Sequence, residues 1–266
     1  DRRFELPQRF RVNSLAKADY HLSVPWSDAS IAMPGVTVYS ISEDLLAGTV
    51  LESGAGVWSR TLASIVLSRK EREKWRRFPT NSARQTEWLI GRAVAKDALR
   101  SFVLSEFGLG LLSADIEIES RVNGSPIAAG SWTKLIAGPV PHVSISHTHG
   151  LTIAAVASAE STRGLGVDVE RIDRINDDAA GFAFSESETA LIASLAEEVR
   201  QEWKARLWCA KEAAAKASGD GLDGKPGSIV ARSVDVASGT VGIHIDNGTS
   251  FSAAGTMTVE TSLVSD

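Results

Sequence analysis

Apolar and polar residues alternate with period two along residues 36–41 (VTVYSI), and again along 115–119, 142–146, 165–170 (LGVDVE), 228–236, 241–245 and 256–259. That alternation predicts short, half-buried strands, most of them separated by Gly, Asn and Ser turns; residues 121–126 (RVNGSP) are one such turn. Elsewhere the apolar spacing lengthens to about 3.6 residues, the period of an amphipathic helix. Residues 84–102 and 206–222 are the clearest cases. Ser68 with Glu71, and Ser185 with Glu188, have the Ser-x-x-Glu spacing of a capping box and mark two helix starts. Gly219 and Gly221 predict the end of the helix over 206–222, because glycine takes up the left-handed backbone that closes a helix. Residues 1–35 mix Pro, Gly, Ser and charge without a period, and read as an extension or linker.

The order strand, capping box, helix occurs twice. AKDA at 95–98 is matched by AKEA at 210–213, and the offset between these tetrapeptides is nearly the offset between the two capping boxes. The expected fold class is therefore α+β: two similar halves, 36–150 and 151–266, each a small, mainly antiparallel sheet packed with helices. An active site is expected in the cleft between them, since clefts between domains are favoured ligand sites.

Composition narrows the class. A chain of 266 residues has room for a sizeable core. Its single cysteine, Cys209, excludes an internal disulfide framework and a cysteine metal cluster, and within an alanine-rich helix it reads as a small core residue. The charged opening DRRFELPQRFRV has no signal-peptide apolar stretch, and no apolar run approaches the ~18 residues of a membrane span, so a cytoplasmic protein is expected. A net charge of −5 argues against general nucleic-acid binding. Residues 69–100 nevertheless hold ten Lys or Arg against four Asp or Glu, with Arg84, Arg92, Lys96 and Arg100 spaced by fours or eights. The stripe reads either as a local field for a small polyanion or an acidic partner, or as the solvated face of an amphipathic helix.

Three motifs carry candidate chemistry. Trp208, Glu212 and Lys216 lie four residues apart on one helical face, as part of a site or as a surface ion pair. In GVDVE, Asp168 and Glu170 are two apart on an expected strand and project together. With no cysteine nearby, such oxygens suit Mg²⁺ or Mn²⁺; an exposed edge with Arg171 as counter-ion is the alternative. SISHTHG at 144–150 ends a strand in hydroxyl and imidazole groups suited to phosphate oxygens. A three-histidine metal site is disfavoured because His142 and His147 differ by an odd number and face opposite sides of a regular strand.

GVDVE at 166–170, FSESE at 184–188 and WCAKEAAAKASGDGL at 208–222 resemble, in order and approximate spacing, the motifs of the surfactin-type 4′-phosphopantetheinyl transferases, and SISHTH and SRKEREKWRRF are similar to further ones. The resemblance covers roughly residues 36–222. It implies transfer of the 4′-phosphopantetheine arm of coenzyme A to a serine of an acyl or peptidyl carrier protein, with release of 3′,5′-ADP. It also implies Asp168, Glu170 and Glu212 as ligands of Mg²⁺, with Mn²⁺ as a substitute. Glu212, Lys216 and Asp168 become the catalytic set, Glu212 as the base and Lys216 at the pyrophosphate. Lys74, Arg92, Arg121, Gly124, Ser146, His147, Thr148 and Lys216 are implied as coenzyme A contacts. Two positions depart from the family pattern: Ser125 stands where a cation is usual, and Thr148 where serine is frequent. A monomer is expected, either alone or as a domain of a larger polyketide or fatty-acid synthase. A non-catalytic scaffold that binds coenzyme A or carriers, and a metal-dependent phosphohydrolase, are the competing readings.

Overall fold

A computed structural model describes residues 35–42, 56–80, 82–148, 151–219, 226–245 and 255–263. Residues 1–34 of the expected extension, and Gly221, lie outside the described residues.

Helix α1 spans Val57–Val66 and α2 spans Arg69–Trp75. The predicted capping box opens α2, with Ser68 Oγ accepting from the Glu71 amide and the Glu71 carboxylate accepting from the Ser68 amide. The long helix α3, Ala83–Phe107, buries Leu89, Ile90, Val94, Leu99 and Val103. These side chains pack on a three-stranded antiparallel sheet of β1 (Val36–Ser42), β4 (His142–Thr148) and β5 (Leu151–Ala157), with β5 in the centre. Strands β2 (Glu117–Ser120) and β3 (Pro126–Ala129) form a separate hairpin around the predicted turn.

The second part contains α4 (Asp177–Ala183), α5 (Glu186–Ala193) and α6 (Arg200–Ser218). Leu207, Ala210 and Ala214 of α6 are buried with Ile229, Val241 and Ile243 of a second antiparallel sheet. Its strands are β6 (Ile229–Asp235), β7 (Thr240–Ile245) and β8 (Gly255–Glu260), in that order. The observed class is mixed helix and antiparallel sheet.

A matching hydrogen-bond network recurs in the two parts. Glu71 Oε2 accepts from the Ser68 amide (2.9 Å) and from Lys96 Nζ, and its Oε1 accepts from the Ile118 amide at 3.0 Å. Glu188 Oε2 accepts from the Ser185 amide (2.8 Å) and from Lys211 Nζ (2.9 Å), and its Oε1 accepts from the Ala231 amide at 2.8 Å. Each lysine also donates to the carbonyl two residues before its capping serine, Lys96 to Val66 (2.8 Å) and Lys211 to Ala183 (2.7 Å). Each glutamate thus ties a helix start, the next long helix and a strand together at one buried point.

Three expectations change. A boundary after residue 150 would cut the β4–β5 hairpin and remove the central strand of the first sheet, so that sheet runs on to Ala157. Residues 165–170 are extended but pair with no strand among the described residues. The Val167 amide, which a ladder would use, donates instead to Ser144 Oγ at 3.0 Å. The cationic stripe of α3 is largely internal: Arg92, Lys96 and Arg100 are buried. Arg100 Nε donates to the Leu111 carbonyl (2.8 Å) and Nη1 to Asp97 Oδ1 (3.0 Å). Buried cations persist only where partners offset their desolvation, hydrogen bonds for Lys96 and Arg100, and the Glu71 charge with the Trp88 ring for Arg92, so these residues tie the helix into the fold rather than forming an open field.

Candidate active site

Helix α6 carries one wall of the site. The alanines at 213–215 favour helix, and Gly219, with φ 84°, closes it in the left-handed conformation that glycine tolerates. With Leu207, Ala210 and Ala214 turned to the second sheet, Cys209, Glu212 and Lys216 are only partly buried. Trp208 packs against the rim of that core, which is a packing role.

Opposite α6 runs the extended segment 164–170. A Cβ on Gly166 would stand 1.8 Å from the Ala213 carbonyl oxygen, and one on Gly164 would stand 2.0 Å from that of Ala217. Only glycine permits this approach of two backbones. Leu165, Val167 and Val169 turn the other way, onto Val38, Ile153 and Ala155 of the first sheet. The segment is thus held between α6 and β1/β5, with Asp168 facing the helix. Lys216 Nζ donates to Asp168 Oδ1 at 2.6 Å and to the Val167 carbonyl at 3.1 Å.

The first sheet contributes a row of hydroxyls. Ser144, Ser146 and Thr148 alternate along β4 and share a face. Ser146 Oγ donates to Asp168 Oδ1 at 2.6 Å, and Thr148 Oγ1 donates to Glu170 Oε1. Both residues were expected at phosphate. In this structure their hydroxyl protons are directed at carboxylates. His147 points from the other face, 57% exposed, with Nε2 3.9 Å from Glu87 Oε2. His142, on the side opposite His147, lies 3.2 Å from the Thr162 carbonyl, so His142 and His147 do not gather; His149 lies outside the described residues.

Charge density is visible in the titrating groups. Burial holds the Glu212 carboxyl above the ordinary carboxylate range; the nearby Asp168 charge adds to the shift and Lys216 offsets part of it. Burial, then Asp168 as charge and hydrogen-bond partner, pushes the Cys209 thiol far up. Cys209 is therefore an unreactive thiol beside Asp168 rather than a member of the core.

The β2–β3 turn reaches the end of α6, and a cluster of cations lies on α2 and α3. Arg121 and Gly124 lie in the β2–β3 turn, where the Arg121 amide donates to the Ser125 carbonyl (2.9 Å) and the Gly124 amide to the Arg121 carbonyl (2.9 Å). Asn123 Nδ2 reaches from this turn to the Gly219 carbonyl at the end of α6, while its Oδ1 accepts from the Ser125 amide at 3.1 Å. On α3, the Arg92 guanidinium stacks on the Trp88 ring at 4.6 Å from its centroid, and exposed Lys74 lies 5.8 Å from the same centroid. Arg92 Nε stands 3.8 Å from Glu71 Oε1. Its burial makes Arg92 a structural group first and limits the contact it offers to a ligand.

Among the described residues, no three His, Cys, Asp or Glu side chains are grouped so as to hold a metal ion by themselves. The expected set of Asp168, Glu170 and Glu212 is therefore not a closed cage. Asp168 Oδ1 is taken by Ser146 and Lys216, and Glu170 Oε1 by Thr148 and the Arg171 amide. The remaining carboxylate oxygens are all-oxygen donors, and this open set fits Mg²⁺, which takes one or two carboxylates and completes its shell with water and phosphate. Ser144, Gly164 and Asn123 were not singled out from sequence. The S-x-S-x-T repeat on a strand and the G-x-G before Val167 were the available signals.

Comparison with known proteins places these motifs in one group. The family model of the 4′-phosphopantetheinyl transferase superfamily matches residues 164–255. The chain is 34% identical over 119 residues to the holo-[acyl-carrier-protein] synthase of Bacillus subtilis, covering 45% of this chain and 93% of that protein. It is 29% identical over 164 residues to the 4′-phosphopantetheinyl transferase HetI of Nostoc, 61% of each chain, so it spans less than two thirds of that relative's length. The crystal structure of a holo-(acyl-carrier-protein) synthase from Bacillus anthracis aligns with a TM-score of 0.34 at 23% identity, over 46% of this chain and 92% of that one. Identity of 34% sustained along 93% of the Bacillus subtilis synthase, with the family model matching the stretch that holds Asp168 and Lys216, means that the chain belongs to the 4′-phosphopantetheinyl transferase superfamily.

Proposed function

We propose that this protein transfers the 4′-phosphopantetheine arm of coenzyme A to a serine of an acyl or peptidyl carrier protein and releases 3′,5′-ADP. The observation that carries the reading is the convergence of Asp168, Glu212 and Lys216 in a member of this superfamily, with Lys216 Nζ 2.6 Å from Asp168 Oδ1. In the step proposed, the carrier serine oxygen bonds to the phosphorus bearing the pantetheine arm as the phosphoanhydride bond to 3′,5′-ADP breaks. Glu212 accepts the serine proton; a carboxyl held above its usual range is the stronger base. Lys216 sets a positive charge where the 5′-phosphate of the leaving 3′,5′-ADP gains negative charge. Asp168 and Glu170, with Glu212 across from them, would hold Mg²⁺ or Mn²⁺. When bound, the ion supplies Lewis-acid charge neutralisation at the pyrophosphate. Exposed Lys74 and His147, and the Arg121–Gly124 turn, are the groups we assign to the nucleotide and its phosphates, with Arg92 buttressing Trp88 behind Lys74.

The recurrent Glu71–Lys96 and Glu188–Lys211 networks support two similar halves, divided after β5 and facing each other across a cleft lined by residues 164–170. Since one chain supplies both halves, we propose a monomer, or one domain of a larger polyketide or fatty-acid synthase. No helix among the described residues is long and apolar enough to cross a membrane, in keeping with a cytoplasmic site of action.

The test is to incubate the chain with coenzyme A, Mg²⁺ and an unmodified carrier protein and weigh the carrier. A gain of ~340 Da at one serine is expected from the covalent addition. Glu212→Gln is expected to lower the rate by about 10²-fold or more with the fold intact by circular dichroism. Phosphopantetheine released without any carrier, or coenzyme A bound with no product, would replace the proposal with a phosphohydrolase or a binding scaffold.

A further inference from the structure

We infer that Trp88 is a positioning residue for the nucleotide end of coenzyme A, holding the Lys74 ammonium in place without neutralising it; this rests on the transferase reading above. Two tryptophans stand where α2 meets α3, and their surroundings differ. Trp75 is buried, and its indole N–H donates to the Gln85 carbonyl at 3.2 Å while Gln85 Nε2 donates back to the Trp75 carbonyl at 3.2 Å. This reciprocal pair locks the last turn of α2 to the first turn of α3. Lys74 precedes Trp75, and Trp88 follows Gln85 by three residues. The same lock therefore brings the exposed ammonium to the second indole, with Lys74 Nζ 5.8 Å from the ring centroid. Trp88 itself is only partly buried.

What holds Lys74 decides what it can do. On the same helix Arg69 pairs with Glu73 (3.5 Å) and Lys70 with Glu117 (3.0 Å), so their charges are already answered. Among the described residues, Lys74 has no carboxylate partner. An aromatic ring attracts a cation through its quadrupole and carries no net charge, so it orders the ammonium and leaves the full charge for an anion. The ring is in turn fixed by its neighbours: Arg92 Cζ lies 4.6 Å from its centroid, and the Phe78 ring packs at 5.7 Å with 46° between the planes. Arg92 is 9% exposed, and its Nε has no hydrogen bond among the described residues, so the ring offsets part of that cation's burial. One indole thus couples a buried cation to an exposed one. A lysine already held against a ring loses less rotamer freedom on meeting a phosphate than a free one does.

The experiment is a double-mutant cycle of Trp88→Leu and Lys74→Met in the full chain. It is read as coenzyme A affinity by calorimetry with no carrier present, and as kcat and KM for transfer. Trp88→Leu is expected to weaken coenzyme A binding about 3- to 10-fold, the scale of one cation–π contact, with kcat within about twofold. In the Lys74→Met background the same change is expected to weaken binding less than about twofold, because the cation that the ring orders is gone. Trp88→Phe, which keeps a ring, is expected to restore most of the affinity. A merely structural role would not make the loss depend on what stands at position 74. Losses that simply multiply in the double variant would overturn the inference, as would a Trp88→Leu variant that binds coenzyme A as tightly as the parent. Should Trp88→Leu fail to fold, Trp88→Met, also without a ring, takes its place in the cycle. If the unaltered chain binds coenzyme A but modifies no carrier, the transferase reading falls while the affinity cycle still decides the part played by Trp88.

Discussion

At the scale of single residues, the ionisable groups divide by what surrounds them. Lys216 is partly exposed and reaches Asp168, whereas Lys211, five positions earlier on the same helix, is fully buried and answers Glu188. Adjacent motif residues in AKEA therefore serve different ends, Lys211 the fold and Glu212 the site. Asp97 is a third case. Burial raises its carboxyl from 3.8 to about 6, against the partial offset of Arg100. The folded state thus holds this proton more tightly than the unfolded chain, so stability is highest below the unfolded pKa and is lost as pH rises from there through about 6. Asp97→Asn keeps an oxygen for Arg100 and removes the titration. In denaturant titrations its stability relative to the parent is expected to rise by about 1 kcal/mol between pH 5 and pH 8. Parallel pH profiles for the two proteins would contradict this.

Elements are joined here by buried carboxylates rather than by apolar packing alone. Glu188 receives the Ser185 amide, Lys211 and the Ala231 amide, so one side chain binds the start of α5, the middle of α6 and strand β6. Its exposure and that of Lys211 are both 0%. Removing one member of such a pair leaves an unpaired charge in a low-dielectric interior, at a cost of about 3–5 kcal/mol. Glu188→Ala is expected to lose that much in chemical denaturation. Replacing both partners by apolar residues, Glu188→Leu with Lys211→Met, is expected to lose clearly less than the two single changes added together; additive losses would show that the pair is not coupled. Both capping boxes were legible in the sequence because a Ser and a Glu three residues apart act locally. Their wider reach was not, since Ile118 lies 47 residues from Glu71 and Ala231 lies 43 from Glu188. The expected strand at 165–170 failed for a related reason: its alternation is real, but the amide at Val167 is claimed by a side chain and two glycines press on a helix. Alternation reports two-sided burial and says nothing of whether a ladder partner is present.

Across the whole molecule, the candidate site is assembled from both parts of the chain. Asp168 comes from the segment between the sheets, its hydroxyl partners from β4 and its cation from α6. Asn123 adds a tether from the β2–β3 turn to the Gly219 carbonyl, 96 residues away. Asn123→Asp keeps the oxygen that orders the turn around Ser125 but cannot donate to Gly219. This variant is expected to raise KM for coenzyme A about three- to tenfold, with kcat nearly unchanged because Lys216 is still held by Asp168 and Val167. Kinetics identical to those of the parent would show that the tether has no part in binding.

The sequence by itself determined the elements whose causes are local: the capping boxes, the glycine end of α6, the alternating strands of both sheets, though not the uniformly buried central strand β5, and the residue types able to do the chemistry. Tertiary structure alone decided which charges meet. Lys216 finds Asp168 across 48 residues, Ser146 and Thr148 turn to carboxylates, and the cationic stripe of α3 goes inside to meet Glu71 and Leu111. The physical reason is that local backbone preference depends on neighbours a few residues away. The partner and the exposure of a charged side chain depend on what the folded chain brings against it.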